Sequence, residues 1–185
     1  MINAERIVRE LDSRLVHEVS LVLYGRAALA LGFANAPDAV KSSLDVDAII
    51  PMSSVGAFQS DEQFWTAQKL TNDTLEADGL YITHLFEAKE VFLRRDWERH
   101  IVSISLAGLR WLKLLRPATL DLVLTKMMRG DDPQDMADAK FVIEHDRITK
   151  AQLNEAFPLM QPFQFPELED AFRRAQPLVL QMAFD

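Results

Sequence analysis

The chain has 185 residues, a formal net charge of −8, 49% hydrophobic and 26% charged residues, and no cysteine. That length and apolar fraction suit one globular domain with a real core. The missing cysteine excludes disulfides, zinc–thiolate sites and thiol nucleophiles, and the acidic total argues against a surface that wraps nucleic acid.

Taken in chain order, "MINAERIVRELDSRL" carries acids from Glu5 onward and lacks the apolar centre of a secretory signal. No uncharged run approaches the roughly 18 residues of a membrane span, so a cytoplasmic protein is expected, with no membrane partner. Ile7, Leu11 and Leu15 recur at helical spacing, which predicts an amphipathic helix over residues 3–17. "VSLVLYG" reads as a short buried strand ending at Gly25, and "RAALALGF" as a helix of two turns. "NAPDAVKSS" has loop composition. "LDVDAII" is a second strand stopped by Pro51, and "MSSVGAFQS" a further loop. A long helix is predicted from Asp61 to Asp78, with Phe64, Ala67, Leu70 and Leu75 near one side and Gly79 just beyond its end.

"LYITHLF", "HIVSISL" and "LRWLKLL" are read as strands. The stretch from Arg94 to Arg116 holds six basic residues, which read either as a local basic face or as ordinary strands with solvated edges. Beyond it the pattern turns helical. Leu120, Val123, Leu124, Met127 and Met128 form a stripe ended by Gly130. Asp132, Pro133 and Asp135 restart a helix, Thr149 and Gln152 match a capping box, and a last helix is predicted over 167–183 after a proline-punctuated loop. The expected fold is α/β (α+β): a mixed β-sheet flanked by helices over 1–116, with a helical C-terminal part over 117–185 packed on the same core as one domain overall.

Asp45 and Asp47 raise the chemical question. Residues i and i+2 of a strand share a face, so both carboxylates point one way and repel unless a cation sits between them. Magnesium suits such a site, because it takes hard oxygen ligands from one or two carboxylates and from substrate phosphates. The bland alternative is a strand end where both aspartates meet water. Gly25, at a strand-to-helix junction, lets backbone approach a ligand, and the N–H groups of the following helix favour an anion. A phosphate-type turn one helix before a metal-type acid pair specifies metal-assisted phosphoryl or nucleotidyl transfer better than either feature alone. A serine hydrolase lacks a nucleophile-elbow motif, and His17, His84, His100 and His145 show no zinc-ligand spacing. His84, in the third predicted strand, is read as either facing the site or structural.

"LYGRAALALGF…KSSLDVDAII" resembles the first motif of the minimal nucleotidyltransferase superfamily, in which a Gly-Gly or Gly-Ser turn precedes an Asp-x-Asp strand. It is closer to the nucleotidyltransferase-like proteins grouped with abortive-infection toxins of bacterial toxin–antitoxin systems. Their basic-x-hydroxyl-x-Asp-x-Asp pattern is similar to Lys41, Ser43, Asp45 and Asp47. Their "Asp-Leu…Lys" helix followed by "Arg…Asp-x-x-Asp" is similar to Asp121, Leu122, Lys126, Arg129, Asp135 and Asp138.

The resemblance implies roles. Gly25, Arg26, Lys41, Ser43 and Arg129 would contact the nucleotide, and Asp45 and Asp47 would hold magnesium (Mg2+) against the phosphates. Lys126 would reach those phosphates, and Asp135 and Asp138 would either order it or simply favour the start of their own helix. Magnesium-dependent transfer of NMP from a nucleoside triphosphate (NTP) to a protein or RNA acceptor, tRNA included, is the implied activity, with an antitoxin protein as the implied partner. Two departures stand out: Arg26 replaces the usual small residue, and no third carboxylate is evident in the later strands. They support the alternative of a catalytically degenerate nucleotide- or partner-binding protein.

Overall fold

The computed structural model describes residues 1–185, the side chain of His84 excepted. In chain order the elements are α1 (Asn3–Arg14), β1 (Val19–Tyr24), α2 (Gly25–Gly32), α3 (Asp38–Lys41), β2 (Asp45–Ile50), α4 (Val55–Ser60), α5 (Glu62–Leu75), β3 (Tyr81–Glu87), β4 (Val102–Ser103), β5 (Leu112–Arg116), α6 (Thr119–Lys126), α7 (Pro133–Asp146), α8 (Lys150–Ala156) and α9 (Pro166–Met182). The fold is α+β with a helical C-terminal part, and among the described residues no helix is long and apolar enough to cross a membrane.

Two compact units divide the chain, residues 1–88 with 102–116, and residues 89–101 with 117–185. The break at 116 falls where the composition changes, but 89–101 joins the helical unit rather than the expected α/β core.

The first unit is built on a five-stranded mixed sheet of order β3-β2-β1-β5-β4. β1 runs antiparallel to β2 and parallel to β5, while β2 runs parallel to β3. Leu21, Leu23, Val46, Ala48 and Ile49 are buried along the central strands, as strands covered on both faces require. α1 buries Ile7, Val8 and Leu11 and packs against α5, β2 and β5. Its other inward residue is Asp12. That buried carboxylate accepts the backbone N–H groups of Arg110 (2.9 Å), Trp111 (2.8 Å) and Leu112 (2.7 Å). Three orphan donors at the start of β5 are thereby satisfied, and a charge that would be costly to bury has its partners. The same junction is tied to β1, since the N–H of Val19 donates to Trp111 O at 2.9 Å.

In the helical unit α6 packs against α7, and Leu122, Val123 and Leu124 of α6, Val142 and Ile143 of α7, Leu153 and Val179 are buried in the apolar core. Segment 89–101 is fastened to it by an Arg94–Met160 bridge and by Asp121, which is fully buried. Asp121 accepts the backbone N–H of Arg94 (2.9 Å) and two guanidinium donors (3.1 and 2.7 Å).

Several sequence expectations need correction. Asp38–Lys41 and Val55–Ser60 are helical where loop composition had predicted loops. "HIVSISL" keeps only Val102 and Ser103 in a strand; thereafter the chain turns away through Gly108 at φ +85°, where Arg9 donates to Ala107 O at 2.9 Å. The caps are as expected. Asp132 accepts the Asp135 N–H, Thr149 and Gln152 form a capping box, and Gly79 closes the α5 end at φ +65°.

Asp61, the N-cap of α5, accepts the Phe64 N–H at 2.9 Å and lies 2.8 Å from His17 Nε2. Burial pushes its carboxyl up, but the Phe64 amide, His17 and the Gln63 amide outweigh that and hold it below the ordinary value. A depressed carboxyl favours the fold above its ordinary pKa, and that contribution fades as pH falls through the folded value. Asp61→Ala should therefore cost about 1 kcal/mol near neutral pH and make the melting temperature less sensitive to acid, as thermal unfolding across the acid range would record. Asp12→Ala, which orphans three amides, should lower the urea-unfolding free energy by about 3 kcal/mol at neutral pH.

Candidate functional site

The first unit gathers the acid pair and the glycine turn. Antiparallel pairing sets Tyr24 opposite Asp47, so the residue after Tyr24 must turn beside that carboxylate. Gly25 does so at φ +62°, a left-handed conformation that L side chains rarely adopt. A Cβ built on it would lie 3.7 Å from Asp47 Oδ2. α2 starts there, and a tyrosine at its N-cap supplies no short side-chain oxygen to the first N–H groups. Val46 is buried between half-buried Asp45 and Asp47, as the shared face predicts.

Hydroxyl groups position both acids. Ser43 Oγ donates to Asp45 Oδ1 at 2.6 Å. Thr83 of β3 donates its hydroxyl to Asp47 Oδ1. The β2–β3 register slips between Val46 and Ala48, and this irregularity lies where Thr83 meets Asp47. Thr83 was missed by sequence reasoning. Its available signal was a hydroxyl in the middle of an apolar strand, but only the pairing shows which strand lies beside the acids. The side chain of His84, its neighbour, lies outside the described residues.

The other residues expected around this turn are placed less directly. Arg26 directs Nη1 to the carbonyl of Ala39 at 3.1 Å, reaching across to α3. Lys41, at the end of α3, lies 3.6 Å from Asp38.

The second unit gathers Lys126, Arg129, Asp135 and Asp138. Lys126 lies off the apolar stripe of Leu120, Val123, Leu124 and Met127, a position that by spacing alone needs no burial. Instead it is buried, and its ammonium donates to Asp135 (3.1 Å) and Asp138 (2.8 Å), which are buried with it. The physical reason is that the facing α7 supplies two carboxylates one helical turn apart, so the charge is met inside the unit. Asp135 and Asp138 thus stand where residues ordering the lysine would stand. Arg129 lies in the turn after α6 and donates Nε to Asp135 Oδ2 at 2.5 Å; that hydrogen bond outweighs burial and holds its pKa above the ordinary value.

The basic stretch does not survive as a continuous face. Arg94 is half-buried against Asp121, Arg116 is buried over the Phe33 ring at 4.5 Å, and Lys113 pairs with Glu18 at 2.7 Å.

By donor chemistry the acid pair fits magnesium: two hard carboxylates, half-buried, beside the Gly25 turn. Among the described residues there is no group of three or more His, Asp and Glu side chains placed to hold a metal, so the remaining oxygens would come from phosphates and water. Comparisons with protein-family models, with curated proteins and with solved structures give no match.

Removing one partner from a buried ion cluster leaves the others uncompensated. Lys126→Met, which keeps the stem and deletes the charge, should destabilise the protein by about 3–5 kcal/mol, read as a lower urea midpoint with the slope unchanged.

Proposed function

We propose that the protein is a magnesium-dependent, nucleotidyltransferase-like protein that moves NMP from an NTP to a protein or RNA acceptor. The observation that carries this reading is the approach of the Gly25 turn to Asp47, with Asp45 on the same strand face. Asp45 and Asp47 would hold the ion, and the α2 N–H groups would receive the phosphates. Bound there, magnesium would neutralise the charge of the triphosphate oxygens. The acceptor hydroxyl oxygen forms its bond to the α-phosphorus as the bond to the β-phosphate oxygen breaks. Pyrophosphate leaves and the hydroxyl proton passes to water. Lys126 and Arg129 enter this proposal through the resemblance alone, as groups that would reach the nucleotide, and Asp135 and Asp138 as groups that would order the lysine. A place in a toxin–antitoxin pair, with an antitoxin as partner, rests on the resemblance too.

One observation favours a second reading. Beside Asp47 the neighbouring strand offers the hydroxyl of Thr83 rather than a carboxylate, so no described third acid stands ready as general base. On that reading the same site binds magnesium and nucleotide without turnover.

Purified protein incubated with α-labelled NTPs, magnesium and either cell protein or tRNA should label one acceptor class, and Asp45→Ala should abolish the label. Magnesium with the bound NTP at 100-fold over Kd should stabilise the wild type by about 2.7 kcal/mol. Stabilisation without label selects the second reading. Neither effect, with wild type equal to Asp45→Ala, removes both.

A further inference from the structure

Tyr81 opens β3 and is the register partner of Asp45 on the adjacent strand β2. The next pair along the two strands, Val46 with Ile82, is buried on both sides of the pairing. Successive strand residues point to opposite faces, so Asp45 and Tyr81 lie side by side on the other face of the sheet. The hydroxyl contact of Thr83 with Asp47, one repeat further on, marks that same face. Tyr81 is tied down at its main chain, since its N–H donates to Leu44 O at 3.1 Å, yet the residue is 41% exposed. A fixed backbone thus offers an accessible aromatic ring next to one of the two acids.

From this placement we infer that Tyr81 is the nucleobase platform of the proposed site, its ring stacking on the base of the bound NTP. The strand order carries the inference. The Gly25 turn leaves β1, the acids stand on β2 and Tyr81 stands on β3, so three neighbouring strands present a turn, a carboxylate pair and an aromatic ring in sequence. An NTP has its parts in the same order: terminal phosphates, α-phosphate, then ribose and base. Two strand spacings separate β1 from β3 by roughly 10 Å, a span that an extended nucleotide crosses. Charge agrees with this direction, because a neutral base is accepted beside Asp45 where a further anion would be repelled. Every base has a π-face, so a stacking ring holds the nucleotide without reading which base it carries.

The inference rests on the nucleotide site proposed above and holds whether the nucleotide turns over or only binds. Its test uses a probe that has phosphates but no base. Magnesium with inorganic tripolyphosphate and, separately, with each of the four common NTPs is titrated into wild type, Tyr81→Ala, Tyr81→Phe and Asp45→Ala. Affinity is read by calorimetry and folding by melting temperature. Loss of one stacked base should weaken every magnesium–NTP complex of Tyr81→Ala by between about fivefold and about 150-fold, while its tripolyphosphate affinity stays at the wild-type value. Tyr81→Phe, which keeps the ring and deletes the hydroxyl, should bind NTPs like the wild type. Tyr81→Val, favoured in a strand, repeats the measurement if Tyr81→Ala melts low.

NTP binding that depends on Asp45 but is unchanged in Tyr81→Ala overturns the platform and leaves the site standing. Equal losses of NTP and tripolyphosphate, a loss confined to one base, or a Tyr81→Phe variant as weak as Tyr81→Ala each overturn stacking as the role of this ring. A wild type that binds neither probe overturns the site, and the inference with it.

Discussion

Antiparallel pairing of β1 with β2 is the constraint from which the first unit's chemistry follows. It sets Tyr24 opposite Asp47, so the chain leaving β1 can only turn within reach of that carboxylate. The turn must be tight enough to start α2 at once, and Gly25 meets that need in a left-handed conformation whose missing side chain keeps the approach to Asp47 open. β3, pairing on the far side of β2, then delivers Thr83 to the same carboxylate. Strand end, helix start and acid pair converge through backbone pairing, which side-chain substitutions elsewhere disturb little.

Both units bury charge, and each does so by supplying the charge with donors or counter-ions in fixed geometry. Asp12 takes three backbone amides and ties α1 to the entry of β5. Asp121 takes the amide and guanidinium of Arg94 and ties segment 89–101 to α6. Lys126 takes Asp135 and Asp138 and joins α6 to α7. Such groups gain little over apolar packing in stability, yet they tolerate no loss of a partner. They fix which segment docks where. Arg94 illustrates the point: it reads as one of six cations in a basic stretch, but its charge is spent on anchoring a loop.

Local signals were legible wherever chemistry acts over a few residues. The caps at Asp132 and Thr149, the αL closure at Gly79 and the glycine stop after β1 all follow from nearest-neighbour hydrogen bonding and backbone sterics. The failures lie where local composition competes with distant packing. "HIVSISL" alternates like a strand, but only two of its residues find a partner on β5. The polar stretches around Asp38 and Val55 look like loops, although each closes a short helix.

By itself the sequence determined most of the α+β elements and their periods, the shared face of Asp45 and Asp47, and the turn that Gly25 permits. These depend on the two-residue repeat of a strand and on glycine's missing Cβ, which act wherever the chain is placed. Only the tertiary structure decided that Thr83 meets Asp47, that Lys126 lies buried between two aspartates, and that the cations from Arg94 to Arg116 are divided among different partners. Those outcomes turn on register and on helix-to-helix contact between residues 9 to 36 positions apart or more, and no local periodicity encodes which partner will be found.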